Sequence, residues 1–210
     1  MPSTSQTAAT LVRLGVATLH EASGRRNLLS QVNLIVGSPF AGQAHTVALP
    51  AGDNLGLHLA LETAPRGSVV CAASAGQGLY GATGELLVES ARAREVTALV
   101  IDDGIRDLDQ LAAPPAVGAR GISARGTVKR RVRQAVGDPV ALGGVLIEPG
   151  DWVVCDRDGT LVIPQGRLDE VIERSNERVM KETEMRELLA AGKSSRQLYE
   201  LPATPPVSIE

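Results

Sequence analysis

The chain has 210 residues, a formal net charge of −3 and 43% hydrophobic residues, enough for one domain with a sizeable core. That charge argues against a nucleic-acid partner, no apolar run is long enough to span a membrane, and the small polar residues 1–10 do not form a secretory signal, so a cytoplasmic location is expected. Aromatic residues are only 2% of the chain, so the core has to be built from Val, Leu, Ile and Ala, which favours tight layers of sheet and helix.

Residues 7–23 read as one helix, with Leu11, Leu14, Val16 and Leu19 on its apolar face and His20 and Glu21 near its end. Residues 44–49 alternate as a strand, residues 50–53 turn and supply an N-cap, and a helix follows over 54–64. An apolar strand over 68–73 leads into a glycine-rich loop, a helix over 85–93 and a short buried strand over 97–101. This order predicts parallel pairing of the two strands through a crossover. Asp102-Asp103-Gly104 reads as a turn and 107–111 as a brief helix. Between 116 and 164 short strands alternate with glycine turns, and the runs 145–147, 152–155 and 160–163 suit a meander. Residues 166–191 return to the helical period as a long, heavily charged helix suited to packing on a neighbouring subunit. The proline-bearing segment 202–210 reads as a loose tail after a core of about 7–192. Cys71 and Cys155 sit in apolar runs and read as buried free thiols.

Two constellations carry chemistry. Gly76-x-Gly78-x-x-Gly81 follows a strand and precedes a helix, with Asp102 and Asp103 about 20 residues further on, as a dinucleotide fingerprint asks. A second nucleotide-binding half is missing, and the same glycines also suit a backbone that turns tightly around a small anion. Arg106-Asp107 follows the end of a strand. Arginine grips a carboxylate with two hydrogen bonds, and a neighbouring Asp suits a hard divalent cation; the plainer alternative is a surface ion pair with Asp107 capping a helix. Lys129, Arg130, Arg131 and Arg133 form a basic cluster, read either as a solvated turn or as a grip on a distal carboxylate. His45 and His58 read as strand and helix residues with local hydrogen bonds, and no three histidines have zinc-ligand spacing.

The segments Gly84-Glu85-Leu86-Leu87, Leu99-Val100-Ile101-Asp102 and Gly104-Ile105-Arg106-Asp107 together resemble the signature of RraA-like proteins. The resemblance continues through Leu14-Gly-Val-Ala-Thr-Leu-His-Glu-Ala22, Gly52-Asp53-Asn54, Lys129 and Pro149-Gly-Asp151, and it is similar in the same order to 4-hydroxy-4-methyl-2-oxoglutarate and 4-carboxy-4-hydroxy-2-oxoadipate aldolases. It implies a single α/β domain of the three-layer β/β/α swivelling type with a long C-terminal helix, assembled as a homotrimer or hexamer with active sites between subunits. The implied activity is divalent-metal-dependent cleavage of a 4-hydroxy-2-oxo acid to pyruvate and a second oxo acid, with oxaloacetate decarboxylation as a side activity.

The resemblance also assigns roles. Arg106 binds the pyruvyl carboxylate or enolate, Asp107 is the protein ligand of Mg²⁺ or Mn²⁺, and the backbone of Gly84, Glu85, Leu86 and Leu87 binds substrate. Glu85 and Glu21 join Arg106 in the catalytic set, with Glu21 and either Glu182 or Glu184 reaching a neighbour's site. Glu85 stands where relatives often carry Asp, and Gln110 stands at a position the pattern makes acidic, with Asp109 one step early. The rival implied by the same family is a non-catalytic regulator that binds a ribonuclease.

Overall fold

The computed structural model describes residues 3–76, 78–111, 115–133 and 135–203. The single N-terminal helix expected from periodicity is two helices, α1 (Thr4–Leu14) and α2 (Val16–Ala22). Gly15 breaks it with a φ of 77°, which a residue without a Cβ adopts freely. The freed Val16 N–H then donates to Asp156 Oδ2 at 2.8 Å.

The remaining elements are β1 (Asn33–Val36), β2 (Phe40–Leu49), α3 (Leu55–Thr63), β3 (Val69–Ser74), β4 (Gly81–Thr83), α4 (Glu85–Ala93) and β5 (Ala98–Ile105). They continue with β6 (Ala116–Ile122), β7 (Val140–Leu142), β8 (Val145–Ile147), β9 (Trp152–Asp156), β10 (Gly159–Ile163), α5 (Leu168–Ala190) and α6 (Ser195–Leu198). The main sheet runs β1-β6-β5-β3-β2-β9-β10, with β4 on the far part of β5. β3 and β5 pair in parallel as expected.

β2 turns the corner of this sheet. Its first residues, 40–43, pair antiparallel with β9, and its later residues, 44–49, pair parallel with β3. The two ends of the sheet then meet. Leu28 bridges Leu161, Leu29 N donates to Thr160 O at 2.8 Å, and Thr160 Oγ1 donates to Val32 O at 3.1 Å. The sheet is therefore nearly closed, which removes most of the exposed edge.

Strand alternation sorts the core into an inside and an outside. Phe40, Ala44, Ala48, Val69, Cys71, Ala73, Ala98, Val100 and Ala116 point inward and meet Val153, Cys155 and Val162 from the opposite wall. Small residues dominate because the two walls are close. The alternate set, including Val47, Val70, Leu99 and Ile101, packs outward against Leu57, Leu61, Leu87 and Val88 of α3 and α4. α1, α2 and the start of α5 cover the outer face of β9 and β10 through Leu11, Leu19, Trp152, Leu161 and Val171. The result is the mixed α/β architecture with a long C-terminal helix that the family resemblance implied.

Several elements differ from expectation. Asp102-Asp103-Gly104 is not a turn but the last part of β5, because pairing with β4 and β6 carries the strand to Ile105. The meander is split: β7 and β8 form a separate two-stranded sheet, while β9 and β10 belong to the main one. Residues 107–111 hold only a 3₁₀ turn, Leu108–Gln110. In α5 the buried residues are Leu168, Val171 and Ser175, whereas Met180, Leu188 and Leu189 are exposed. Cys71 and Cys155 are buried free thiols, and burial pushes the Cys155 pKa up to about 11. Of the expected loose tail over 202–210, residues 204–210 lie outside the described residues. Among the described residues, no helix is long and apolar enough to cross a membrane.

Candidate active site

The C-terminal ends of β4 and β5 deliver the key residues. Arg106 follows β5 directly, and its N–H donates to Thr83 O at 3.0 Å, so the ladder between the two strands fixes where the guanidinium starts. The side chain then lies across Gly81 and Gly84. A Cβ on Gly81 would approach Arg106 Cδ to 3.0 Å, and one on Gly84 would approach Arg106 Cγ to 3.0 Å and collide with the Asp107 carboxylate. Here glycine is required by close approach.

Asp107 has a φ of 60°, the left-handed region that non-glycine residues rarely enter. Such strain persists only where the surroundings impose it, and it gathers at functional sites. The turn aims the carboxylate back toward Arg106, with Nε and Oδ2 3.5 Å apart and the two side chains 44% and 42% exposed. The pair is half open to solvent, so its own ion pairing contributes little to stability.

Arg106 and Asp107 sit on a cavity of about 90 Å³ lined also by Asn54, His58, Thr83, Gly84, Leu86, Leu87 and Lys129. That volume suits a small organic acid. Gly84 is the N-cap of α4, and Gly84, Leu86 and Leu87 line the cavity, so the unbonded first-turn amide of Leu86 belongs to the same rim. A helix N-terminus of this kind favours a carboxylate. The helix expected over 85–93 is thus α4, Glu85–Ala93.

Three other residues lining the cavity were not singled out from the sequence. Asn54, the N-cap of α3, donates through Nδ2 to Ala82 O at 2.8 Å, which leaves Oδ1 buried without a partner among the described residues. His58 Nε2 and Thr83 Oγ1 are buried and unpartnered in the same way. Burial, and then the nearby Lys129 charge, lower the His58 pKa, so the ring is neutral at neutral pH. The spacing of Asn54 and His58, one helical turn apart, was the available signal.

The glycine-rich segment supports this site from behind. Asp103 is buried and accepts hydrogen bonds from Tyr80 N at 2.5 Å, Gly104 N at 2.9 Å and Ser74 Oγ at 3.1 Å. Three bonds within its own chain commit this buried acid to holding the fold, and the helix begins at Glu85 rather than at Gly81. The dinucleotide reading is thus corrected. Asp102 points to the other face, 3.5 Å from Arg120 Nε, and burial raises its pKa. The basic cluster divides as well: Arg130 N and Arg131 N donate to Asp53 Oδ2 at 3.0 and 2.9 Å, and Lys129 alone of the four lines the cavity.

Glu85 is exposed at the first turn of α4 and is not among the cavity-lining residues. Glu21 lies away from the cavity of its own chain. Its carboxylate pairs with Arg25 at 3.0 Å and Arg178 at 3.7 Å, and the Arg25 hydrogen bond holds it below the ordinary carboxylate range. Glu182 joins the same cluster through Arg178 at 2.8 Å, and Glu184 is exposed. Among the described residues, no cluster of three or more His, Cys, Asp and Glu side chains could cage a metal. One carboxylate does fit a hard cation that keeps most of its waters and shares the rest of its coordination with substrate, as Mg²⁺ does.

Comparison with known proteins agrees with the fold. The family model described as "RraA-like: Aldolase/RraA" matches residues 15–162. A Halalkalibacterium halodurans protein provisionally named 4-hydroxy-4-methyl-2-oxoglutarate aldolase is 30% identical over 157 residues, covering 74% of each chain. An uncharacterised Pseudomonas syringae pv. tomato protein superposes with a TM-score of 0.78 at 25% identity, over 94% of this chain and 98% of that one. Streptomyces coelicolor RraAS2, described as an unusual member of the RNase ES inhibitor RraA family, gives 0.75 at 28% identity, over 88% and 97%. With the family model spanning residues 15–162, more than half of its length, the chain belongs to the RraA-like family.

Proposed function

We propose that the chain is a carbon–carbon lyase that cleaves a 4-hydroxy-2-oxo acid to pyruvate and a second oxo acid. The observation that carries this reading is the adjacent cation and carboxylate, Arg106 and Asp107, on a small cavity rimmed by a helix N-terminus. The first-turn amides of α4 bind and orient the carboxylate of the oxo acid. Arg106 faces the neighbouring oxo oxygen and stabilises the negative charge that gathers there as the bond between carbons 3 and 4 breaks. Lys129 adds a second positive charge at the far wall. A water polarised by the site's carboxylates takes the 4-hydroxyl proton as that bond breaks and returns a proton to carbon 3, which releases pyruvate. Asp107 is the residue to hold Mg²⁺ or Mn²⁺, which when bound supplies Lewis-acid polarisation of the oxo group. Decarboxylation of oxaloacetate generates the same enolate and is the expected side activity.

The glutamate cluster on α2 and α5 suits delivery to a neighbouring subunit, so we place Glu21 and Glu182 at the partner's cavity in a homotrimer or hexamer. The test is a pyruvate assay coupled to lactate dehydrogenase across candidate 2-oxo acids. Asp107→Ala is expected to lower turnover at least about a hundred-fold, and chelation is expected to abolish it. A rate unchanged after thorough chelation refutes the lyase reading. The likeness to RraAS2 favours a second reading, a protein-binding regulator, which predicts a binding partner and no metal requirement.

A further inference from the structure

A buried acid outside the cavity holds the segment that brings Lys129 to it. The segment 123–131 runs beside Arg106, where a Cβ on Gly126 would lie 3.7 Å from Arg106 Nη1. One end is tied to residues 79–81: Ser123 Oγ donates to Leu79 O at 2.9 Å and Gly81 N donates to Arg125 O at 2.8 Å. The other end is tied to residues 52–54. Val128 N donates to Gly52 O at 2.9 Å, and Asn54 N donates to Val128 O at 3.0 Å. Beyond Lys129, the amides of Arg130 and Arg131 both donate to Asp53 Oδ2, at 3.0 and 2.9 Å. Lys129 is thus clamped on both sides.

The two oxygens of Asp53 have separate tasks. Oδ1 accepts from Leu55 N at 3.1 Å and steadies the start of α3, while Oδ2 serves only the segment that carries Lys129. Asp53 is 2% exposed and is not among the residues lining the cavity. Against burial, which raises it, these backbone bonds hold its pKa below the ordinary carboxylate value, so both oxygens act as acceptors at neutral pH. Among the described residues Lys129 forms no ion pair, so no acidic side chain fixes its ammonium. A lysine held by its flanking backbone has fewer orientations to lose than one on a free loop.

We propose that Asp53 is a positioning residue: by holding the amides of Arg130 and Arg131 it keeps Lys129 at the Arg106–Asp107 cavity, and its influence on the site passes through Lys129. The clamp itself does not depend on which reaction the cavity supports; only the turnover arm of the test rests on the lyase reading.

The test is a double-variant cycle on the full chain. Asp53→Ser keeps a side-chain oxygen for Leu55 N and removes the one that serves Arg130 and Arg131. Asp53→Asn, with one acceptor oxygen for three amides, is the second variant should the serine chain fold poorly, and the same outcomes apply to it. Lys129→Met removes the charge alone. The first readout needs no ligand. Burial, and then the Lys129 charge, lower the His58 pKa, so its titration by NMR is expected to move upward in Lys129→Met. Asp53→Ser is expected to move it in the same direction, and the double variant to match Lys129→Met. In the coupled pyruvate assay each single variant is expected to lose about ten-fold or more in kcat/KM, and the double variant no more than about two-fold beyond Lys129→Met. An Asp53 that only supports the fold would add its own loss to that of Lys129→Met. A His58 titration unmoved by Asp53→Ser overturns the proposal, and so do losses that multiply in the double variant. If the unaltered chain cleaves no candidate oxo acid, the lyase reading falls and the His58 titrations alone decide the clamp.

Discussion

At the scale of single residues, function depends on how closely Gly84 lets Asp107 and Arg106 approach. Gly84→Ala keeps an extended backbone available to any residue, yet its Cβ would collide with the Asp107 carboxylate. Turnover in the coupled pyruvate assay is expected to fall about 10- to 100-fold with little change in the thermal midpoint. His45 and His58 give a second handle, since burial lowers both below the ordinary value of 6.5. The unfolded chain takes up protons that these folded sites refuse, so stability rises with pH. The contribution is complete above the unfolded value and is lost as pH falls through it. Thermal midpoints across that range should decline on acidification, and His58→Gln should flatten part of the decline. Arg106, Asp107 and Gly84 were legible in the sequence because adjacent motifs carry them. Asn54, His58 and Thr83 were not, because what marks them is the absence of a partner, and only three-dimensional packing reveals an unfilled hydrogen bond.

Among the elements, the seam between the ends of the sheet is the most exposed to test. Thr160 Oγ1 closes it on Val32 O and is fully buried. Thr160→Val preserves shape and leaves that carbonyl unpaired, a cost of about 1–3 kcal/mol in chemical denaturation. Gly15→Ala forces a Cβ into positive φ between α1 and α2, and a loss of about 1–2 kcal/mol is expected by the same measurement. The central elements α3, β3, α4 and α5 were readable from apolar runs and period. The break at Gly15 was hidden, because Leu11, Leu14, Val16 and Leu19 keep a helical rhythm across it. β1 gave no signal, being four residues long and buried nowhere along its length. β5 was read too short because Asp102, Asp103 and Gly104 look like a turn, and only pairing on both sides holds them extended.

For the whole molecule, the proposed assembly has a direct consequence. If Glu21 serves a neighbour's cavity, then Asp107→Ala and Glu21→Gln subunits are each impaired for different reasons. Mixing them by unfolding and refolding together should create some intact sites and recover pyruvate release above the sum of the separate preparations. Recovery no greater than that sum would argue for sites complete within one chain. The sheet itself decides where such chemistry has to live. With alanine, cysteine and valine filling the space between its walls, the interior offers no room for a guest and no spare volume to enlarge. Any change of diet for this scaffold must therefore be made at the strand tips, by recutting segments such as 76–80 and 123–131, while the plug of small side chains beneath them stays as it is.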